Sequence, residues 1–258
     1  MVSIRQIGNV ESAQKESLMN LGQMQIYSPI LRRQVTFGFR LPPSAEVGPG
    51  PYPALLQLHG ASEDHTAWIT RTMLPVHLEG TPLIVIMPDG ARSQWLNRNP
   101  HERYEDFLMQ DLLPACAEFF PVRPGRWAIG GLSMGGQGAL HLGLKYPDRF
   151  ASIYAHSSVI PDRATLQSWL PDLTPALLDD ADLFARAARP IAHPSRPQLS
   201  FDCGTDDPLL AENRAYHQHL TALGYPHHYS EHPGGHTWAY WDEHVREALQ
   251  QHLAVLQG

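Results

Sequence analysis

The sequence predicts an α/β protein, with a mostly parallel central sheet, helices on both faces and an antiparallel edge at its N-terminal side. Three observations carry that expectation. Apolar runs at residues 54–58, 83–87 and 150–155 have the length of buried strands, and helix-like segments separate them. Such alternation builds a parallel sheet covered on both sides. The residues able to do chemistry, His59, Ser133, Asp206, Asp207 and His236, fall just after strands, where a parallel sheet places its ligands.

Each element follows in order. Residues 1–20 read as a lead-in and 21–258 as one domain, a length that supports one substantial core. Residues 23–27 and 33–41 read as two strands paired at the sheet edge; Val35, Phe37 and Phe39 alternate as in a half-buried strand. The Pro- and Gly-rich stretch 42–53 is a surface connection. A buried strand at 54–58 runs into His59-Gly60-Ala61-Ser62, and a helix is expected around 68–78. The strand at 83–87 ends at Pro88-Asp89-Gly90, and 91–103 is an irregular loop carrying Trp95 and Asn97. A helix at 104–120 contains Pro114, which should kink or break it.

Strands at 127–130 and 150–155 flank a helix at 137–145. Residues 160–195, rich in Pro, Asp and Ala, read as short helices and loops beside the site. A strand at 198–202 leads to Cys203-Gly204-Thr205-Asp206-Asp207. The helix at 209–223 stops at Gly224, a strand follows at 227–231, and the last helix starts near Trp238.

Composition narrows the function. A net charge of −7 argues against nucleic acid or an anionic membrane surface as partner. The longest apolar run, 83–87, is far below the ~20 residues of a membrane span. Residues 1–18 are polar and lack the apolar centre of a signal peptide, so a cytoplasmic protein is expected. Cys116 and Cys203 fit that compartment as small buried residues. The expected partner is a small molecule, and oligomeric state stays open.

The stretch Gly131-Leu132-Ser133-Met134-Gly135 sits between an apolar run and a helix of small residues. Gly-x-Ser-x-Gly there is what a nucleophile elbow requires: the strand ends, the chain turns sharply, and the hydroxyl stands at a helix N-terminus. A base and an acid should follow in the order nucleophile, acid, histidine. His236, after Gly234-Gly235, suits the base, and Asp206 or Asp207 would orient its imidazole. Neither spacing nor chemistry chooses between these neighbours; the unused aspartate is expected to cap the helix before Leu209. Backbone N–H groups of Met134 and Ala61 would receive the oxyanion. His59, Trp68, Trp95 and Trp238 are candidate substrate-binding residues, since pockets use aromatic walls. No cofactor or metal is expected. His217 and His219 lie two apart on a helix, and His227 and His228 point to opposite faces of a strand.

At these residues the chain resembles an esterase family of α/β-hydrolases that includes tributyrin esterase, S-formylglutathione hydrolase (esterase D), feruloyl and acetylxylan esterases and the mycolyltransferases. The resemblance spans roughly residues 23–255. It rests on Leu58-His59-Gly60 with Trp68 beyond it, Met87-Pro88-Asp89-Gly90, Tyr104-Glu105-Asp106-Phe107, Gly131 to Leu140, Lys145 to Phe150, Cys203 to Asp207, and Gly235-His236-Thr237-Trp238. It implies the α/β-hydrolase fold, Asp207 as the acid and Ala61 as the second oxyanion donor. Gly-Leu-Ser-Met-Gly-Gly and Trp238-Ala239-Tyr240-Trp241 look closest to short-chain esterases of the tributyrin type. The formylglutathione enzymes usually carry histidine where Leu132 stands. The expected function is a serine carboxylesterase acting on short, uncharged acyl esters. Thioester hydrolysis is the nearest alternative, acyl transfer to an alcohol another. An inactive hydrolase fold used for binding would lack part of the set found here.

Overall fold

The computed structural model describes residues 20–189 and 191–258, so the lead-in read at 1–20 lies outside the described residues except for Asn20. Eight strands make one sheet: β1 (Asn20–Ser28), β2 (Arg33–Leu41), β3 (Ala54–Leu58), β4 (Ile84–Pro88), β5 (Trp127–Leu132), β6 (Phe150–His156), β7 (Gln198–Gly204) and β8 (His227–His232). Their order across the sheet is β1-β2-β4-β3-β5-β6-β7-β8. Only the β1–β2 and β2–β4 pairs are antiparallel, which is the N-terminal edge expected; the others are parallel.

The period-2 geometry of the central strands divides the core in two. Leu56, Ile86 and Ile129 lie in register and face one layer; Leu55, Val85 and Ala128 face the other. The first layer is closed by α1 (Met134–Lys145) and α2 (Leu210–Ala222), through residues such as Leu140, Leu144, Tyr216 and Leu220. The second is closed by α3 (Trp238–Gln257), which lays Trp241, Val245, Leu249 and Leu256 against the sheet. Because both faces are covered, the inner strands are buried at every position, which is why they read as continuous apolar runs. β8 at the open edge is mostly half-exposed.

Three expectations need adjusting. The helix around 68–78 is two short pieces, Ala67–Thr70 and Leu74–His77. Pro75, in the first turn of the second piece, has no N–H with which to continue the first. The helix at 104–120 does not break at Pro114. Its middle, Phe107–Leu112, widens to a π-helical turn, and Pro114 falls in the first turn of Leu113–Phe119, where no donor is missed. Short structure also occupies the connections: a helical turn at Ser44–Val47 and a small ladder pairing Asn97–Asn99 with Glu102–Arg103. Residues 160–195 hold the short helices Arg163–Trp169, Pro175–Ala181 and Leu183–Ala187, each capped by an aspartate or threonine side chain.

His252 on α3 is fully buried beneath the sheet, with Nδ1 2.8 Å from Ser152 Oγ. Burial pushes its pKa down from 6.5 to about 3, with the neighbouring His156 adding in the same direction. The unfolded chain therefore takes up a proton that the folded chain refuses. Stability should fall as pH drops from about 6.5 towards about 3 and lie flat above that window, with this residue contributing at most about 1.4 kcal/mol per pH unit. Urea unfolding of His252→Gln should show a smaller gap between about pH 5 and pH 7.5 than wild type.

Candidate active site

Ser133 ends β5 and opens α1. Its backbone is held at φ 54°, ψ −117°, a left-handed conformation that a side chain rarely adopts. The surroundings enforce it: the Ser133 N–H donates to the carbonyl of His156 (2.9 Å), and its carbonyl accepts from Gln137 and Val159. The turn lifts the hydroxyl to the end of the sheet, in front of the helix N-terminus, where the Met134 N–H has no carbonyl within the helix to bond.

His236 lies on the loop between β8 and α3. The Ser133 hydroxyl is 3.1 Å from its Nε2 and donates to it. On the other side its Nδ1–H donates to Asp207 Oδ2 at 2.9 Å. The imidazole is partly exposed, whereas the Asp207 side chain is fully buried. Burial alone would raise the Asp207 pKa. The bonds from His236, the Leu209 N–H and Ser157 outweigh it and hold the carboxyl below its usual range. The chain of bonds therefore ends on a carboxylate able to stabilise an imidazolium. Asp206 is exposed, and its N–H is tied to the Gly234 carbonyl instead.

One expectation fails here. The second aspartate does not cap the following helix. That helix has no side-chain cap, and Asp207, already bonded to His236, also accepts the Leu209 N–H on Oδ1 at 2.8 Å.

A cleft of about 280 Å³ opens beside Ser133. Ala61 borders it from the loop after β3, and Trp238 forms part of its wall. The other candidate wall residues lie elsewhere. His59 is buried; its Nδ1–H donates to the Gly60 carbonyl (2.7 Å), and its Nε2 accepts the Gly90 N–H (2.9 Å). Burial lowers its pKa and keeps it neutral, as those two bonds require. Trp95 is fully buried, its ring against Gly90 and Gly138. Trp68 is buried too, donating its indole N–H to Leu58 O at 2.9 Å. These three residues hold the loops that shape the cleft.

Other side chains prove to belong to the site. Trp241 lines the cleft, meets the His236 ring edge-to-face at 4.9 Å, and donates its N–H to Ser157 Oγ at 3.2 Å. Ser157, which also bonds to Asp207, is buried at a backbone φ of 45°. Glu63 lines the cleft and accepts the Trp238 N–H at 3.2 Å. The helical spacing of Trp238 and Trp241, directly after His236, was a usable signal for the first; Ser157 carried none.

Metal-ligating groups do come together among the described residues, as His232/His244/Glu247 and as Glu105/His141/Asp180. Neither set includes Ser133, Asp207 or His236. His217 and His227 are hydrogen-bonded to each other at 2.8 Å.

Comparison with known proteins agrees with this architecture. The family described as "Putative esterase" matches residues 28–252. An acetyl esterase of Caldicellulosiruptor saccharolyticus is 29% identical over 259 aligned residues, covering 90% of this chain and 97% of the relative. An esterase of Mycobacterium tuberculosis is also 29% identical, over 72% of this chain, but the match spans only 49% of that longer relative. Among solved structures, S-formylglutathione hydrolase of Staphylococcus aureus superposes with a TM-score of 0.81. It is 24% identical, with 92% of this chain and 100% of that one covered, and at that identity the likeness is one of fold.

The reading of His59 as a structural tie is testable. His59→Ala should orphan the buried Gly90 N–H and cost about 1–3 kcal/mol in urea unfolding. A variant as stable as wild type would show that the bond is not needed.

Proposed function

The chain belongs to this esterase family and is a carboxylic ester hydrolase, and within that class we propose a serine carboxylesterase that cleaves short-chain acyl esters through Ser133, His236 and Asp207. The observation that carries the reading is the unbroken line of hydrogen bonds from the Ser133 hydroxyl through both imidazole nitrogens to a buried carboxylate.

Ser133 Oγ attacks the ester carbonyl carbon as its proton passes to His236 Nε2. Negative charge gathers on the carbonyl oxygen, where the Met134 and Ala61 N–H groups are the donors. The intermediate collapses, the alcohol leaves with the proton from the imidazolium, and the acyl group stays on Ser133. A water molecule, deprotonated by His236, repeats the sequence and releases the acid. Asp207 keeps the Nδ1–H tautomer in place throughout and stabilises the imidazolium.

The modest cleft walled by two indoles supports a short acyl chain, as does the likeness to an acetyl esterase. Leu132, which lines the cleft where the formylglutathione enzymes usually carry histidine, supports an ester rather than a formylglutathione substrate. Two buried, unpaired cysteines support a reducing, cytoplasmic setting. Among the described residues no helix is long and apolar enough to cross a membrane.

Hydrolysis of p-nitrophenyl acetate, butyrate and octanoate tests the proposal. Turnover should fall with chain length. Ser133→Ala should lose on the order of 10⁶ in kcat and Asp207→Asn on the order of 10⁴, with circular dichroism unchanged. Asp206→Asn should stay within a few-fold of wild type; the opposite ranking of the two aspartates would reassign the acid.

A further inference from the structure

Among the described residues that line the cleft, Glu63 is the one carboxylate, and none is a lysine or arginine. The residue follows Ala61 by two positions, so its backbone belongs to the loop that borders Ser133. Its Oε1 accepts the Trp238 indole N–H, which holds the carboxylate beside the aromatic wall. That wall is rigid. Trp238 meets Trp241 edge-to-face at 5.2 Å and meets the buried Trp68 the same way at 5.7 Å. The negative field is not Glu63's alone. Asp64 and Asp89 also act on His59 at the foot of this loop, and hydrogen bonds from Thr66 hold the Asp64 carboxyl below its usual range.

Two electron-rich indole rings and a carboxylate around a small cleft favour one kind of guest. A cation is attracted to the ring faces and to the carboxylate together, and partial exclusion of water strengthens both. An anion meets repulsion from the carboxylate with no lysine or arginine among the described lining residues to offset it, and the one imidazole there, His236, is engaged with Ser133 and Asp207. Resting on the reading of this cleft as an ester site, we propose that Glu63, Trp238 and Trp241 form a subsite for an ammonium group on the substrate, so that cationic esters are preferred over neutral ones and neutral over anionic.

The informative variant is Glu63→Gln, whose amide oxygen can still accept the Trp238 N–H while the charge is removed. The probes are acetylthiocholine and its uncharged carbon isostere, S-(3,3-dimethylbutyl) thioacetate, followed by thiol release. Wild type should favour the cation by roughly tenfold in kcat/KM at low salt, mostly through KM. The preference should shrink at about 0.5 M salt and fall to about one in Glu63→Gln. A wild-type ratio near one, or a ratio unchanged in Glu63→Gln, overturns the proposal. If neither thioester is turned over and p-nitrophenyl acetate is not hydrolysed either, or if its hydrolysis survives Ser133→Ala, the reading of this cleft as an ester site has failed. Where only the thioesters are refused, that reading stands. Titration calorimetry with tetramethylammonium chloride then still decides the subsite: heat that disappears in Glu63→Gln supports it, and no heat with wild type sinks it.

Discussion

At the sharp turn carrying Ser133, three main chains approach more closely than side chains would permit. A Cβ on Gly135 would lie 2.4 Å from the Leu58 carbonyl, and one on Gly131 would lie 2.5 Å from the Gly135 carbonyl. These contacts bind the end of β3, the end of β5 and the start of α1 into one rigid unit. A serine can be held at an unfavourable φ only when its surroundings over-determine the conformation. Here the His156 carbonyl and the first turn of α1 do so. The same device recurs at the end of β7, where a Cβ on Gly204 would lie 2.3 Å from the Gly234 carbonyl. That second approach presses the Asp207 loop against the His236 loop. Glycine packing at two points thus fixes the distances between side chains far apart in the sequence.

Beneath those points lies a polar layer that fixes orientation. Asp202, two residues before the end of β7, accepts from His156 (2.7 Å) and from the Tyr240 hydroxyl (2.9 Å), with all three buried. Trp241 and Ser157 continue the network to Asp207. Buried polar groups of this kind cost free energy unless satisfied, and once satisfied they accept few alternative geometries. The arrangement anchors α3 to the ends of β6 and β7, so the helix carrying two cleft-lining tryptophans is held by polar bonds as well as by apolar burial.

The fold was legible because its signals are local. Alternating apolar runs and helical periods set the sheet, and Gly131-x-Ser133-x-Gly135 marked the turn where strand meets helix. The position of His236 beyond the last strand was legible for the same reason. The distinction between Asp206 and Asp207 was not readable from the residues themselves, since both follow β7 and differ only in which way the turn aims each side chain. Trp68 and Trp95 misled because aromatic size announces burial without saying on which side of a loop the ring falls. Glu63 and Ser157 were missed for a related reason: their importance comes from partners more than eighty residues away, Trp238 and Trp241. The long helices expected at 68–78 and 104–120 departed from the reading where a proline met a helix start, at Pro75 and Pro114.

Asp207 spends both carboxylate oxygens, one on the His236 imidazole and one on the Leu209 amide. A carboxylate gripped at both ends cannot rotate about its terminal bond, so the imidazole inherits the precision of the backbone that follows β7. Glutamate offers the same charge and the same two oxygens, but one methylene further out. From this Cα it would satisfy the ring only by abandoning the amide, or the amide only by abandoning the ring. Two acids interchangeable in titration are therefore not interchangeable at this position, and any change of acid here would have to be accompanied by a rebuilt turn.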